Sequence, residues 1–253
     1  FGGVVGGVEA TESHFEGLIL ARVAALRLPC KFLIMADAQF PDEQDESGEI
    51  QRQGAAFERW IKADGSGDFP AQAGRYHLYV CLACPWAHRI IILRKIKKLE
   101  DAIGMTLVDP IREDEPGWRF ADWNGETPPP GDISQGEIDP INGFKYLKEA
   151  YQARVTVPVL WDKQEGVIVS NNDDDLMRML NREFDAFGDS SIDLVPTKLE
   201  PEIDRLNDII YHAVNNGVYK TGFATTQSAS KNLLILSLIV STCWNLALQE
   251  RNI

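Results

Sequence analysis

At residue 84 a cysteine stands between a short β-prone run, residues 75–81, and an apolar-periodic run that begins at Pro85 and continues to residue 99. The hydrophobic period changes from two to 3.6 across a few residues, which marks a strand handing over directly to a helix. Proline fits the first helical turn, because the N–H it lacks has no intrahelical partner there. Residues 101–104 then close the helix, and residues 105–109 read as a second strand. A strand, a crossover helix and a second strand give a parallel pair, since only a long crossover can return the chain to the same direction. This β-α-β unit limits the fold more than any other feature of the sequence.

Prolines at 116, 128, 129, 130 and 140 break any long period between residues 110 and 150, so this stretch is expected to be a long insertion of loop. Order returns at residues 154–162 and 167–170, two strands joined by a turn at 163–166, followed by a helix over 172–184 whose first turn carries three aspartates. From residue 198 to 215 the apolar positions Leu199, Ile203, Leu206, Ile209, Ile210 and Val214 fall at helical spacing. The order β-α-β, β-β-α, then helices predicts an α/β domain over residues 51–187 and an all-α domain over 188–253, with 1–50 as an N-terminal extension.

Composition removes several classes of function. Lys plus Arg number 25 against 38 Asp plus Glu, a formal charge of −13, and a field of that sign repels nucleic acid and anionic lipid. The apolar stretch 18–35 is interrupted by Arg22, Arg27 and Lys31 and lacks the form of a secretory signal. Residues 233–248 are sixteen without a charge, short of the ~20 that a membrane-spanning helix needs, so a buried helix is the expectation there. The acidic run 41–54 reads as a solvated loop. Four cysteines, at 30, 81, 84 and 243, are too few and too unevenly spaced for a disulfide framework, which places the chain in a reducing compartment, the cytoplasm.

The chemistry concentrates at Cys84. A thiol at the start of a helix faces the positive end of the macrodipole and the backbone N–H groups of the first turn, which favour the thiolate. Such a sulfur is a nucleophile at neutral pH; the bland alternative is a buried, inert thiol. Val157-Pro158 has the place of the proline that thioredoxin-like folds keep cis, opposite the thiol. Cys81 and Cys84 also form a C-x-x-C pair, the spacing of a redox dithiol or half a zinc site. No second pair stands at a zinc spacing and the histidines have no ligand partners, so no metal is expected. Cys81 reads as a strand-end residue, with a role in resolving oxidised Cys84 left open.

Five stretches carry a resemblance to a known family: GRYHLYVCLACPWAHR at 74–89, GWRF at 117–120, RVTVPVLWD at 154–162, RMLN at 178–181 and NNGVYKTGFATTQ at 215–227. Together they resemble the xi-class glutathione transferases, the glutathionyl-hydroquinone reductases. The resemblance implies a thioredoxin-like domain followed by a helical one, and glutathione as co-substrate, with quinone conjugates as the other partner and a homodimer as the assembly. It implies Cys84 as the nucleophile and Tyr219 as the group that moves a proton at the quinol carbon. It further implies that Trp118 lies over the peptide and that Arg154, Val155, Thr156 and Val157 form the strand whose backbone pairs with it.

Two departures accompany the match. The family's Glu-Ser pair, which holds the γ-glutamyl end of glutathione, falls on Asn172 and Asp173. Asn172 keeps an acceptor but loses the charge, and Asp173 places an anion beside the ligand's own carboxylate. After Gln227 the sequence no longer follows the family, so an incomplete helical domain is expected, divergent from residue 228. Three readings therefore stand: a reductase of glutathionyl-hydroquinones, an inactive remnant of one, or a C-x-x-C dithiol reductase.

Overall fold

A computed structural model describes residues 43–51, 53–113, 116–120, 133–134, 138–151 and 155–226. Arg154, Cys30, Cys243, the apolar stretches 18–35 and 233–248 and everything after residue 226 lie outside the described residues. Two compact units contain the rest, one over residues 54–200 and a second to which 43–53 and 201–226 belong.

The first unit is built on a five-stranded mixed sheet: β1 (Tyr76–Val80), β2 (Gly104–Leu107), β3 (Ile133–Ser134), β4 (Val159–Asp162) and β5 (Val167–Ser170), in the order β3-β2-β1-β4-β5. β1 and β2 are parallel, with Leu78 opposite Met105 and Val80 opposite Leu107, as the β-α-β reading requires. β4 and β5 run antiparallel, β4 pairing with β1. A short parallel pair, Ile61–Lys62 with Phe69–Pro70, precedes the sheet. Alternation along the strands buries both faces. Tyr76, Leu78, Val80, Leu160 and Val169 join one apolar cluster with helices α1 (Pro85–Ile96) and α2 (Asp173–Arg182), through Ala87, Ile90, Leu93, Leu176, Met179 and Leu180. Tyr79, Cys81, Val159, Trp161 and Ile168 join the other.

That second face corrects the expectation of a bare loop over 110–150. Phe120, Leu147 and Tyr151 are buried against it, and Ile141 and Phe144 pack at its edge. Ile133–Ser134 adds a strand parallel to β2. Prolines hid this, because a segment that covers a sheet with scattered single side chains has no period to detect. β4 is also shorter than the run 154–162: its ladder begins at Val159, after the cis peptide Val157-Pro158. Helix α1 ends at Ile96 rather than near residue 99, because Lys98 turns left-handed (φ 54°) and Leu99 N–H bonds back to the Arg94 carbonyl at 2.9 Å. Gly104 opens β2 where a Cβ would stand 2.6 Å from His77 Nδ1, so that position has no room for a side chain.

In the second unit, α3 (Glu200–Ile210) continues through a π-helical turn, Tyr211–Asn215, into α4 (Asn216–Phe223). Residues 44–51 are not a free solvated loop. Asp45 accepts hydrogen bonds from the Ser47 hydroxyl, Gln51 Nε2 and the backbone N–H groups of Ser47 and Glu49, which hold its carboxyl down at about 2. The turn so formed docks on α4: Lys220 Nζ meets Glu49 Oε1 at 2.6 Å, and Thr225 N–H donates to the Gly48 carbonyl at 2.9 Å. Gly48 has φ +80° and a Cβ there would come within 2.5 Å of Thr225 Oγ1, so glycine is required twice over. Among the described residues no helix is long and apolar enough to cross a membrane.

Candidate active site

Cys84 occupies the N-cap of α1 (φ −89°, ψ 114°) with Pro85 in the first turn, no side-chain capping bond and no acidic residue in that turn. The turn before it closes by a hydrogen bond from Cys84 N–H to the Cys81 carbonyl at 3.1 Å. The half-buried Cys84 Sγ lies 3.6 Å from the Val157 carbonyl oxygen, to which its thiol donates. Val157-Pro158 is cis, as its place opposite the thiol predicts. Cys81 is fully buried, its thiol 3.8 Å from the Asp109 carbonyl, and burial pushes its pKa up. Neither Cys81 nor Cys84 is in a disulfide.

Several of the predicted residues meet at one apolar cluster. Val157 belongs to the cluster of Tyr79, Cys81, Phe120 and Trp161, and Cys84, Trp118 and Val155 border it. Trp118 is half-buried, and its carbonyl accepts from Leu147 N–H at 2.9 Å, which ties the indole-bearing segment to the short helical turn 147–150. Thr156 is held from both sides: its carbonyl accepts from the Tyr151 hydroxyl at 2.7 Å, and its Oγ1 bonds to Asn171 Nδ2 at 2.9 Å. Residues 155–157 therefore run beside the thiol but outside the β-ladder, a correction to the strand expected from residue 154. Proline 158 has no N–H to give that ladder. Tyr219 lies on α4 of the other unit, half-buried and stacked on Phe223 with ring centroids 6.3 Å apart.

Asn172 caps α2, its Oδ1 accepting from the N–H groups of Asp174 and Asp175 at 3.1 and 3.3 Å while its Nδ2 donates to Glu58 Oε1 at 3.0 Å. Asp173 is paired rather than loose: Arg89, on the first turns of α1, donates from Nη1 to Asp173 Oδ2 at 2.8 Å and brings Nη2 to 3.6 Å from Asp174 Oδ1. The anion expected at this position is thus partly offset by a cation from the neighbouring helix. Asp175 titrates above the ordinary aspartate range, first because it is desolvated and then because Glu58 and Asp174 stand near it.

Sequence reading passed over Asn171, Arg89 and Glu58. Asn171 is buried and exchanges bonds with Phe57, backbone to backbone and Oδ1 to N–H, each at 3.0 Å, while its amide reaches Thr156. An asparagine doublet at a strand-to-helix junction was the available signal, since one residue can cap and the other brace. His77 is buried, its Nε2 2.7 Å from Thr106 Oγ1, and desolvation holds its pKa down at about 4, so it is a neutral structural group. Among the described residues no group of His, Cys, Asp or Glu could hold a metal ion.

Comparison with known proteins extends this picture. The family model described as "Glutathione S-transferase, N-terminal domain" matches residues 83–183. The glutathionyl-hydroquinone reductase YqjG of Escherichia coli is 46% identical over 195 residues, 74% of this chain and 58% of that protein. The chain thus spans little more than half the length of this curated relative. The glutathione-bound structure of YqjG, a glutathione transferase homologue, superposes with a TM-score of 0.68 at 40% identity, over 77% of this chain and 64% of that one. Glutathione transferase Xi 1 from Trametes versicolor superposes with a TM-score of 0.69 at 37% identity, over 79% of this chain and 68% of that one. An identity of that level over two thirds of a solved xi-class protein, in a chain whose mixed sheet, thiol at a helix start and cis proline are all in place, means that this protein belongs to the xi class of the glutathione transferases, the family of the glutathionyl-hydroquinone reductases.

Proposed function

We propose that this protein is a cytoplasmic, glutathione-dependent oxidoreductase that reduces glutathionyl-hydroquinones to hydroquinones. The observation that carries the reading is Cys84 at the open N-cap of α1, with its sulfur beside the carbonyl that precedes cis-Pro158. The helix start favours the thiolate, and the thiolate attacks the sulfur of the conjugate. The carbon–sulfur bond to the ring breaks, a sulfur–sulfur bond to Cys84 forms, and the ring carbon takes a proton. Tyr219, by the family resemblance, is the proton donor. A second glutathione thiolate then attacks the mixed disulfide, leaves as glutathione disulfide and restores the Cys84 thiolate, so the two electrons gained by the ring come from two glutathiones.

Trp118 and residues 155–157 are the proposed peptide-binding wall, an extended contact beside the thiol, to which the family resemblance adds Arg154. At the γ-glutamyl end the chain holds glutathione weakly, because Asn172 spends its acceptor on its own helix and Asp173 is committed to Arg89. Loss of one charge-assisted bond corresponds to about 1.5–3 kcal/mol, or roughly 10- to 150-fold in affinity. The test of the function is turnover of a glutathionyl-hydroquinone with glutathione by the wild type and by Cys84→Ser. The reading requires hydroquinone and glutathione disulfide in equal amounts from the former; equal rates in the two proteins would overturn it.

A further inference from the structure

Cys81 has no part in the two-glutathione cycle, yet it is the nearest thiol to Cys84 along the chain. Residues 81 to 84 form one hydrogen-bonded turn, closed by Cys84 N–H on the Cys81 carbonyl at 3.1 Å. Such a turn brings its first and last Cα atoms within about 7 Å, and a disulfide needs roughly 4.4–6.8 Å. Both side chains border the same apolar cluster, Cys81 inside it and Cys84 at its edge. The Cys81 thiol makes a long bond, 3.8 Å to the Asp109 carbonyl, and its sulfur also lies near the backbone N–H groups of Ala83 and Cys84 in the same turn.

We propose that Cys81 is the resolving thiol for Cys84: once Cys84 carries glutathione, Cys81 displaces it and closes a Cys81–Cys84 disulfide. The inference rests on the mixed disulfide of the proposed function. In the step, Cys81 sulfur attacks Cys84 sulfur, the bond to glutathione breaks, and glutathione leaves as a thiolate that takes up the proton Cys81 has lost. No electrons enter or leave. Two glutathiones, or one small dithiol, then reopen the protein disulfide and are themselves oxidised to a disulfide. The order is opposite to the dithiol in which the first cysteine begins the helix, because here the second one does. The attacking group is intramolecular, which gives it a high effective concentration beside a ligand the site holds weakly. It therefore lets a reductant other than glutathione finish the cycle.

The test uses the full chain with Cys30 and Cys243 replaced by serine, so that only the C-x-x-C pair can react. Glutathione disulfide is added, the reaction is quenched in acid, and intact mass and peptide mapping follow. The proposal expects the C-x-x-C protein to end lighter by two hydrogens, with about tenfold less bound glutathione than its Cys81→Ser counterpart, which accumulates the adduct on Cys84. Cys81→Ala, which keeps the position apolar, is expected to match Cys81→Ser. Burial raises the Cys81 pKa, so loss of the adduct should quicken as pH rises. Equal adduct with and without Cys81 overturns the resolving role and leaves the proposed function standing. No adduct in Cys81→Ser or Cys81→Ala overturns both.

Discussion

Two helices of the first unit start in the same setting, immediately after a strand or its turn and packed on the same face of the sheet, yet their first turns are opposites. α1 begins at Cys84 with no side-chain cap and no acidic residue, while α2 begins at Asn172 with a two-fold cap and Asp173, Asp174 and Asp175 behind it. An N-terminus of a helix is a ready anion site, with unpaired N–H groups and a positive dipole end. α2 fills that capacity with its own side chains and is stabilised by doing so. α1 leaves it for a sulfur. On the proposed function, the difference separates a helix start that serves the fold from one that serves chemistry at some cost to stability, and Arg89 is the link between them, rising from one and bonded to the acids of the other.

The largest effect comes from removing the sulfur. Cys84→Ser should lower turnover of a glutathionyl-hydroquinone by about three orders of magnitude or more, the scale on which loss of a nucleophile registers. Serine is also a far better N-cap than a residue that makes no capping bond, and the gain in a good cap is about 1 kcal/mol. The same variant should therefore unfold at higher urea concentration than the wild type. A variant both inactive and less stable would show that α1 is not an unfilled helix start.

Next in size is the exchange at α2. Asn172→Glu with Asp173→Ser returns a charge to the proposed γ-glutamyl end and releases Arg89 from Asp173, and it should tighten glutathione by roughly 10- to 150-fold in calorimetric titration. Unchanged affinity would mean that the filled helix start has no bearing on the ligand. Asn172→Ala alone separates cap from ligand contact: it removes the bonds to Asp174 and Asp175 and should cost about 1 kcal/mol in urea unfolding, with Cys84 chemistry intact.

The contrast between the helix starts also divides what the sequence discloses from what it conceals. The change of period at Cys84, Pro85 in the first turn and the acid run after Asn172 are local signals, and the parallel β1–β2 pair and both helices follow from them. The chain's resemblance to its family names Cys84, Trp118, Val155 and Val157, which the fold brings to one cluster. Packing across long sequence separations is what local pattern omits. The lid of Phe120, Leu147 and Tyr151 on the second sheet face has no periodicity, and the pairing of Arg89 with Asp173 joins residues on two helices. Asn171 looks like any polar residue before a helix until Phe57, distant in sequence, is found to bond to it.

The smallest effect tests whether the acids of α2 are all welcome there. Asp175 is desolvated and lies near Glu58 and Asp174, and these outweigh the pull of Arg178, so its carboxyl titrates above the ordinary aspartate value. A folded-state pKa raised above that of the unfolded chain favours the folded state only while the group is protonated. That contribution is complete below the unfolded value, about 3.9, and is lost as pH rises through the folded one. At neutral pH the Asp175 carboxylate is therefore a net burden, although its neighbours in the same turn suit the dipole. Asp175→Asn should raise stability at pH 7 by less than the Asn172→Ala loss and leave it unchanged near pH 3, as read by urea midpoints at the two values. A gain of equal size at both would point to the side chain's shape, and a loss at pH 7 would mean that the dipole outweighs Glu58 and that every acid in this helix start is stabilising.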